Sequence, residues 1–211
     1  MENLTEQGFI QAWESGRLVY PADPMAHGQR WFLRTAENSE NHSKILFVGI
    51  NPSTATRFAA ASKVQGGDPT TAAILKRFPV DDRQRPINAR WMSIINLIPL
   101  VGQSSQLPDW NLSSGKNEIL SSLKITITVM KLIVPEADHI ILMWGNPKAS
   151  KFPWKRDIIP TVQELIRTFK KPNAAIKAVY SKNAPYYPTH PAYSRWNGHE
   201  FCDALHLLEH E

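Results

Sequence analysis

The sequence predicts an α/β fold of three layers, with helices on both faces of a central, mostly parallel four-stranded sheet and a small N-terminal edge-strand extension. Four apolar, strand-like runs, Ile45 to Ile50, Met92 to Ile98, His139 to Trp144 and Ile176 to Tyr180, alternate with stretches of helical character. Such alternation implies right-handed crossovers and a doubly wound sheet. The chain has 211 residues, the size of one compact domain. Hydrophobic residues make up 42% of it and charged residues 20%, a globular balance. One unit is therefore expected over 1–211, with a helix and edge strand over 1–43 and the core over 44–211.

Taken in order, Thr5 to Ser15 puts Phe9, Ile10 and Trp13 on one helical face, and Gly16 is placed to end that helix. Arg30 to Arg34 alternates charge with bulk, as an edge strand does, ahead of a polar turn from Glu37 to Ser43. Thr70 to Phe78 reads as a helix, with Asp68 as cap and Pro69 in the first turn. Further helices are expected over Lys116 to Val134, Asp157 to Phe169 and Gly198 to Glu209, although the β-branched run Ile125 to Val129 weakens the longest. Between Ala55 and Gly67 lies the longest irregular loop near the first strand, a candidate lid.

Cys202 is the only cysteine, which excludes an intramolecular disulfide framework and any four-cysteine cluster. A reducing cytoplasm fits that usage. Met1 to Ile10 carries Glu2 and Glu6 instead of a basic region followed by an apolar core. No stretch approaches the roughly 20 apolar residues of a membrane span, so neither export nor insertion is expected. Lys and Arg number 24 against 19 Asp and Glu, a net +5 that favours polyanionic partners. His206 and His210 stand four apart near the C-terminus without an accompanying acid or cysteine set, so no metal is expected, nor any cofactor.

In an open parallel sheet, ligands bind outside the carboxyl ends of the strands. Those ends are polar here. Gly49-Ile50-Asn51-Pro52-Ser53 follows the first run, Asn96 interrupts the second, Trp144-Gly145-Asn146-Pro147-Lys148 ends the third, and His190-Pro191-Ala192-Tyr193-Ser194-Arg195 follows the fourth. An amide inside an apolar strand costs free energy unless it is hydrogen-bonded, which makes Asn96 the least ordinary of these residues.

Gly-Ile-Asn-Pro after a first strand, Asn within a second and His-Pro after the last resemble the uracil-DNA glycosylase superfamily, the first motif being closest to its mismatch-specific branch. The chain is also similar to an uncharacterised bacterial and phage family with Asn-Pro-Ser-Thr-Ala, Asp-Pro-Thr and His-Pro motifs, here Asn51 to Ala55, Asp68 to Thr70 and His190-Pro191. The resemblance covers about residues 30 to 210. It implies a monofunctional DNA glycosylase that leaves an abasic site, with DNA, single- or double-stranded, as partner and the protein acting as a monomer.

Under that resemblance Asn51 positions the attacking water and His190 donates to the pyrimidine O2 as charge develops there. Asn96 presents its amide to the Watson–Crick edge of the flipped base. Gly49, Ile50, Pro52, Ser53 and Tyr193 complete the base pocket, and Phe58, Tyr193 and Trp196 compete for the stacking position. Stricter uracil enzymes of the superfamily carry a bulky aromatic where this chain has Ser53, so the expected substrate is a modified (5-substituted, including phage-type) or mismatched pyrimidine. Lys148, Lys151, Lys155 and Arg156, interleaved with Phe152 and Trp154, are expected to grip DNA together with Arg195 and Trp196. Two other classes compete: a non-catalytic nucleic-acid or nucleotide-binding module, and an enzyme acting on free nucleosides or nucleotides.

Overall fold

Alternation along the inner strands fixes the layers. In β3 (Lys44–Gly49) Leu46 and Val48 join a core cluster with Phe9, Trp13, Ile119, Ile133, Ile158 and Val162. Ile45 and Phe47 face the other way and join Ile74, Leu75, Met143 and Trp196. One side of the sheet is thereby covered by α1 (Glu6–Glu14), α4 (Ser113–Ile133) and α5 (Lys155–Phe169). The other carries, among the described residues, the seven-residue α3 (Pro69–Leu75), Ala55 and Phe58 of the loop after β3, and the C-terminal segment. The computed structural model describes residues 4–52, 54–59, 66–102, 107–148, 152–181, 184–191, 196 and 199–209.

Among the described residues the sheet has seven strands rather than four, in the order β1 (Val19–Tyr20), β2 (Phe32–Arg34), β4 (Trp91–Asn96), β3, β5 (His139–Leu142), β6 (Ala175–Ala178) and β9 (Cys202–Asp203). Its inner strands β4, β3, β5 and β6 pair in parallel. Antiparallel strands flank them: β2 then β1 on one side, and β9 on the other. A short helix, α2 (Pro24–His27), links β1 to β2.

The Arg30 to Arg34 segment is consequently not an edge, since β1 lies outside it. Its charges are buried, Arg30 at 3% exposure and Arg34 at 2%. Arg34 donates to the Trp13 carbonyl at 3.0 Å and to Glu37 at 2.7 Å, and its guanidinium lies 4.4 Å from the Trp13 ring centroid. Charge alternating with bulk here marks a strand whose cations find acceptors inside, Arg34 on Glu37 and the Trp13 carbonyl and Arg30 on the Ala55 carbonyl.

Two further expectations change. Gly198 to Glu209 does not form a helix in its described part: Cys202 and Asp203 pair with Ala178 and Lys177, and only a 3₁₀ turn over Leu205–Leu208 follows. The fourth run also stops short, because Tyr180–Ser181 (β7) leaves the sheet and pairs with Ala184–Pro188 (β8) in a separate hairpin. By contrast α4 runs unbroken through its β-branched stretch. Val129 and Ile133 bury there, and the Thr126 hydroxyl is satisfied by the Leu97 carbonyl at 3.1 Å.

Asp68 caps α3 as expected, accepting from the Thr71 amide at 2.7 Å while the Thr71 hydroxyl accepts from the Asp68 amide. At the start of α4 a Cβ on Gly115 would sit 2.1 Å from the backbone oxygen of Asp109. Backbone cannot yield as a side chain can. Gly115→Ala is therefore expected to cost at least about 2 kcal/mol, read as a lower denaturant midpoint at unchanged slope.

Candidate active site

The inner strand order reverses beside β3: the chain steps from β3 to β4 on one side, then crosses to β5 on the other. In open α/β sheets ligands bind at such a switch point, which here lies outside the carboxyl ends of β3 and β5. The chain running out of β3 is held in place there, since the Gly49 and Ile50 carbonyls accept from the Leu97 and Ile98 amides at 3.0 and 3.2 Å. Met143 and Trp144 lead out of β5, followed by Gly145 in the left-handed region at φ 69°.

Gly49 and Asn96 are registered partners on adjacent strands. A Cβ on Gly49 would stand 2.7 Å from Asn96 Oδ1 and 3.5 Å from Met143 Cε. Glycine is what lets the amide lie across the strand end. Asn96 is 6% exposed, and its Nδ2 is buried without a hydrogen-bond partner. Its Oδ1 likewise receives no hydrogen bond among the described residues. An unpaired buried amide costs about 1–3 kcal/mol. Such a group can take a donor and an acceptor from a ligand at once.

Asn51 is the opposite case at one end. Its Nδ2 donates to the Pro52 carbonyl at 3.1 Å and the Gly102 carbonyl at 3.0 Å. Both amide hydrogens are spent on the backbone, which fixes the amide's orientation. Oδ1 remains to accept, and no described residue donates to it. Ile50 is half-buried against the first core cluster, and Pro52 is buried. Ser53, Tyr193, Lys151 and Arg195 lie outside the described residues.

His190 follows a pinned backbone. The Thr189 amide donates to the Val179 carbonyl at 2.7 Å, and the Thr189 carbonyl accepts from the Trp196 indole at 2.9 Å. Burial lowers the His190 pKa to about 4; the Asp68 charge opposes that shift and the Lys155 charge adds to it. The ring is neutral at pH 7. Asp68 also faces Arg30, whose Nη1 donates to the Ala55 carbonyl at 2.5 Å and whose pKa falls to about 10 through burial.

Three aromatics and one lysine leave their expected places on the DNA-facing surface or in the base stack. Trp196 is 2% exposed and packs on Phe47 and Phe201, so it supports His190 from behind. Phe58 and Trp154, at 1% and 2% exposure, belong to the two cores. Lys155 is 2% exposed: its Nζ donates to the Trp144 carbonyl at 2.6 Å and stands 4.8 Å from the Phe152 ring centroid. Burial lowers its pKa to about 8.

Lys155 occupies the inner face of α5 because it is in phase with Ile158, Ile159, Val162 and Ile166, the buried stripe of that helix. That spacing was readable in the sequence. Lys148 and Arg156 do remain exposed, and Arg57, on the loop after β3, joins them. Among the described residues no three His, Cys, Asp or Glu side chains gather as metal ligands, and no helix is long and apolar enough to cross a membrane.

A family model described as a protein of unknown function, DUF1643, matches residues 30–192. The chain belongs to the DUF1643 family. The matched span runs from buried Arg30, ahead of β2, to just past His190 and contains Gly49, Asn51, Asn96 and Lys155. No curated protein and no solved structure matches this DUF1643 chain.

Proposed function

We propose that this DUF1643 protein is a DNA glycosylase that hydrolyses the N-glycosidic bond of a modified or mismatched pyrimidine and leaves an abasic site. The observation that carries the reading is the buried, unspent amide of Asn96 laid across Gly49 at the switch point. A base turned out of the stack brings the donors and acceptors that this amide lacks. Asn51 then accepts from a water through Oδ1, its own hydrogens being held by Pro52 and Gly102. Neutral His190 donates to the pyrimidine O2.

In the step so arranged, the bond between C1′ and the base nitrogen breaks and its electron pair stays on the base. The water oxygen bonds to C1′, and the proton it loses balances the charge on the departing base. A positioned water suffices against an electron-poor sugar carbon, which is why an amide can do this work. Ser53 in place of an aromatic suits pyrimidines with substituents at C5.

Asn51→Ala tests this directly. With single- and double-stranded oligonucleotides and phage DNA carrying uracil, mismatched thymine and 5-substituted pyrimidines, freed base measured by mass spectrometry is expected to fall by about two to three orders of magnitude. Undiminished release by the variant would sink the mechanism. The burial of Lys155, Trp154, Trp196 and Phe58 removes four expected contacts with DNA or its flipped base and favours a second reading, hydrolysis of free nucleosides or nucleotides. Lys148→Gln with Arg156→Gln separates the two, since it should slow release from DNA alone if DNA is the substrate.

A further inference from the structure

We propose that Lys155 is a catalytic residue of this site, its ammonium taking up the negative charge that develops on the departing base. The proposal rests on the glycosylase reading and adds a cation to it. An ammonium has three hydrogens to place; among the described residues Lys155 donates one hydrogen bond, to the Trp144 carbonyl at 2.6 Å, and has the Phe152 ring 4.8 Å away as a second, weaker partner. The side chain is 2% exposed, so water does not serve the others freely. A buried cation left short of partners is held at high cost unless a ligand completes it.

Its position is that of the site. Lys155 opens α5, the helix that follows β5 out of the switch point. A Cβ on Gly145 would lie 3.6 Å from Lys155 Nζ and 4.0 Å from the Pro188 carbonyl oxygen, so the ammonium and the segment leading to His190 converge on one glycine. His190 is the titratable group that feels the Lys155 charge, and Asp68 is the carboxylate that His190 feels in turn. During the reaction Lys155 keeps its proton. The electron pair of the broken bond spreads onto the ring oxygens, and the ammonium faces that charge in a desolvated site where it acts most strongly.

The alternative is that Lys155 only staples the Trp144 carbonyl to α5. Wild type, Lys155→Met and Lys155→Arg are compared on the DNA from which wild type releases base, with kcat, KM, melting temperature and pH profile recorded. Lys155→Met should lower kcat about a hundredfold or more at a KM within about threefold and an unreduced melting temperature. Lys155→Arg should recover part of the loss. Wild-type kcat should fall above about pH 8, and that alkaline limb should vanish in Lys155→Met.

Full kcat in Lys155→Met, or an alkaline limb that persists there, would overturn the proposal and leave the glycosylase reading standing. Should Lys155→Met fail to fold, the wild-type profile decides alone, and a flat profile from pH 6 to pH 9.5 overturns it. Absence of base release by wild type from every DNA would overturn both.

Discussion

Asn96→Ala is expected to lower base release by about three orders of magnitude, to a slow but measurable rate, while the melting temperature stays level or rises. A site built to hydrogen-bond its substrate discriminates through groups that are unpaired without it. In the unliganded protein that unpaired amide is a standing cost of about 1–3 kcal/mol, so its removal offsets the small cavity it leaves. A purely structural asparagine behaves oppositely, losing stability first.

Gly49→Ala gives the same claim a geometric form. Its Cβ would meet Asn96 Oδ1 at 2.7 Å, the end of a side chain, which yields more cheaply than backbone. The fold should therefore hold while the amide is pushed out of place and activity falls with it. Gly49→Ala combined with Asn96→Ala should be no less active than Asn96→Ala alone, a non-additivity that shows both changes act through one group. Full activity in Gly49→Ala would show that the amide reads no base.

The second large effect is acid lability. His190 has its pKa lowered to about 4 in the folded protein against an ordinary 6.5, so between those values the unfolded chain binds a proton that the folded one does not. Stability is complete above pH 6.5 and declines as pH falls toward 4, by up to about 3 kcal/mol. Below about pH 4.5 the carboxylates add their own loss. Glu37 and Asp138 are pushed up by burial, yet the hydrogen bonds from Arg34 and Arg90 and from Lys171 and Lys44 hold them below their ordinary values. The interval from 4.5 to 6.5 thus separates the His190 contribution from that of the carboxylates. In urea titrations His190→Gln should flatten the slope of stability against pH there, and an unchanged slope would contradict the lowered pKa of that ring.

The inner sheet was legible because long apolar runs have few alternatives. Each of the four runs contains an inner strand, and Gly49, Asn51, Asn96 and Gly145 stand at or just past the carboxyl ends of theirs. What could not be read are β1 and β9, two-residue strands fixed by ladder hydrogen bonds to β2 and β6 and not by any periodicity of their own. Burial of charge was not legible for a different reason. Arg30, Arg34 and Lys155 are cations that residue type alone assigns to the surface, and each is kept inside by a carbonyl that accepts from it. For Lys155 the helical phase of α5 outweighed its charge. Trp196 looked like a stacking residue beside a histidine, but its indole is committed to the Thr189 carbonyl.

The most direct measurement is a product analysis of wild-type protein on phage DNA rich in 5-substituted pyrimidines and on uracil-containing duplex. Freed base is identified by mass, and abasic sites in the same DNA are counted with an aldehyde-reactive probe. The account predicts one intact free base and an equal number of abasic sites, with the strand uncut. Freed nucleotides, or DNA unchanged in base content at any enzyme concentration, would contradict it.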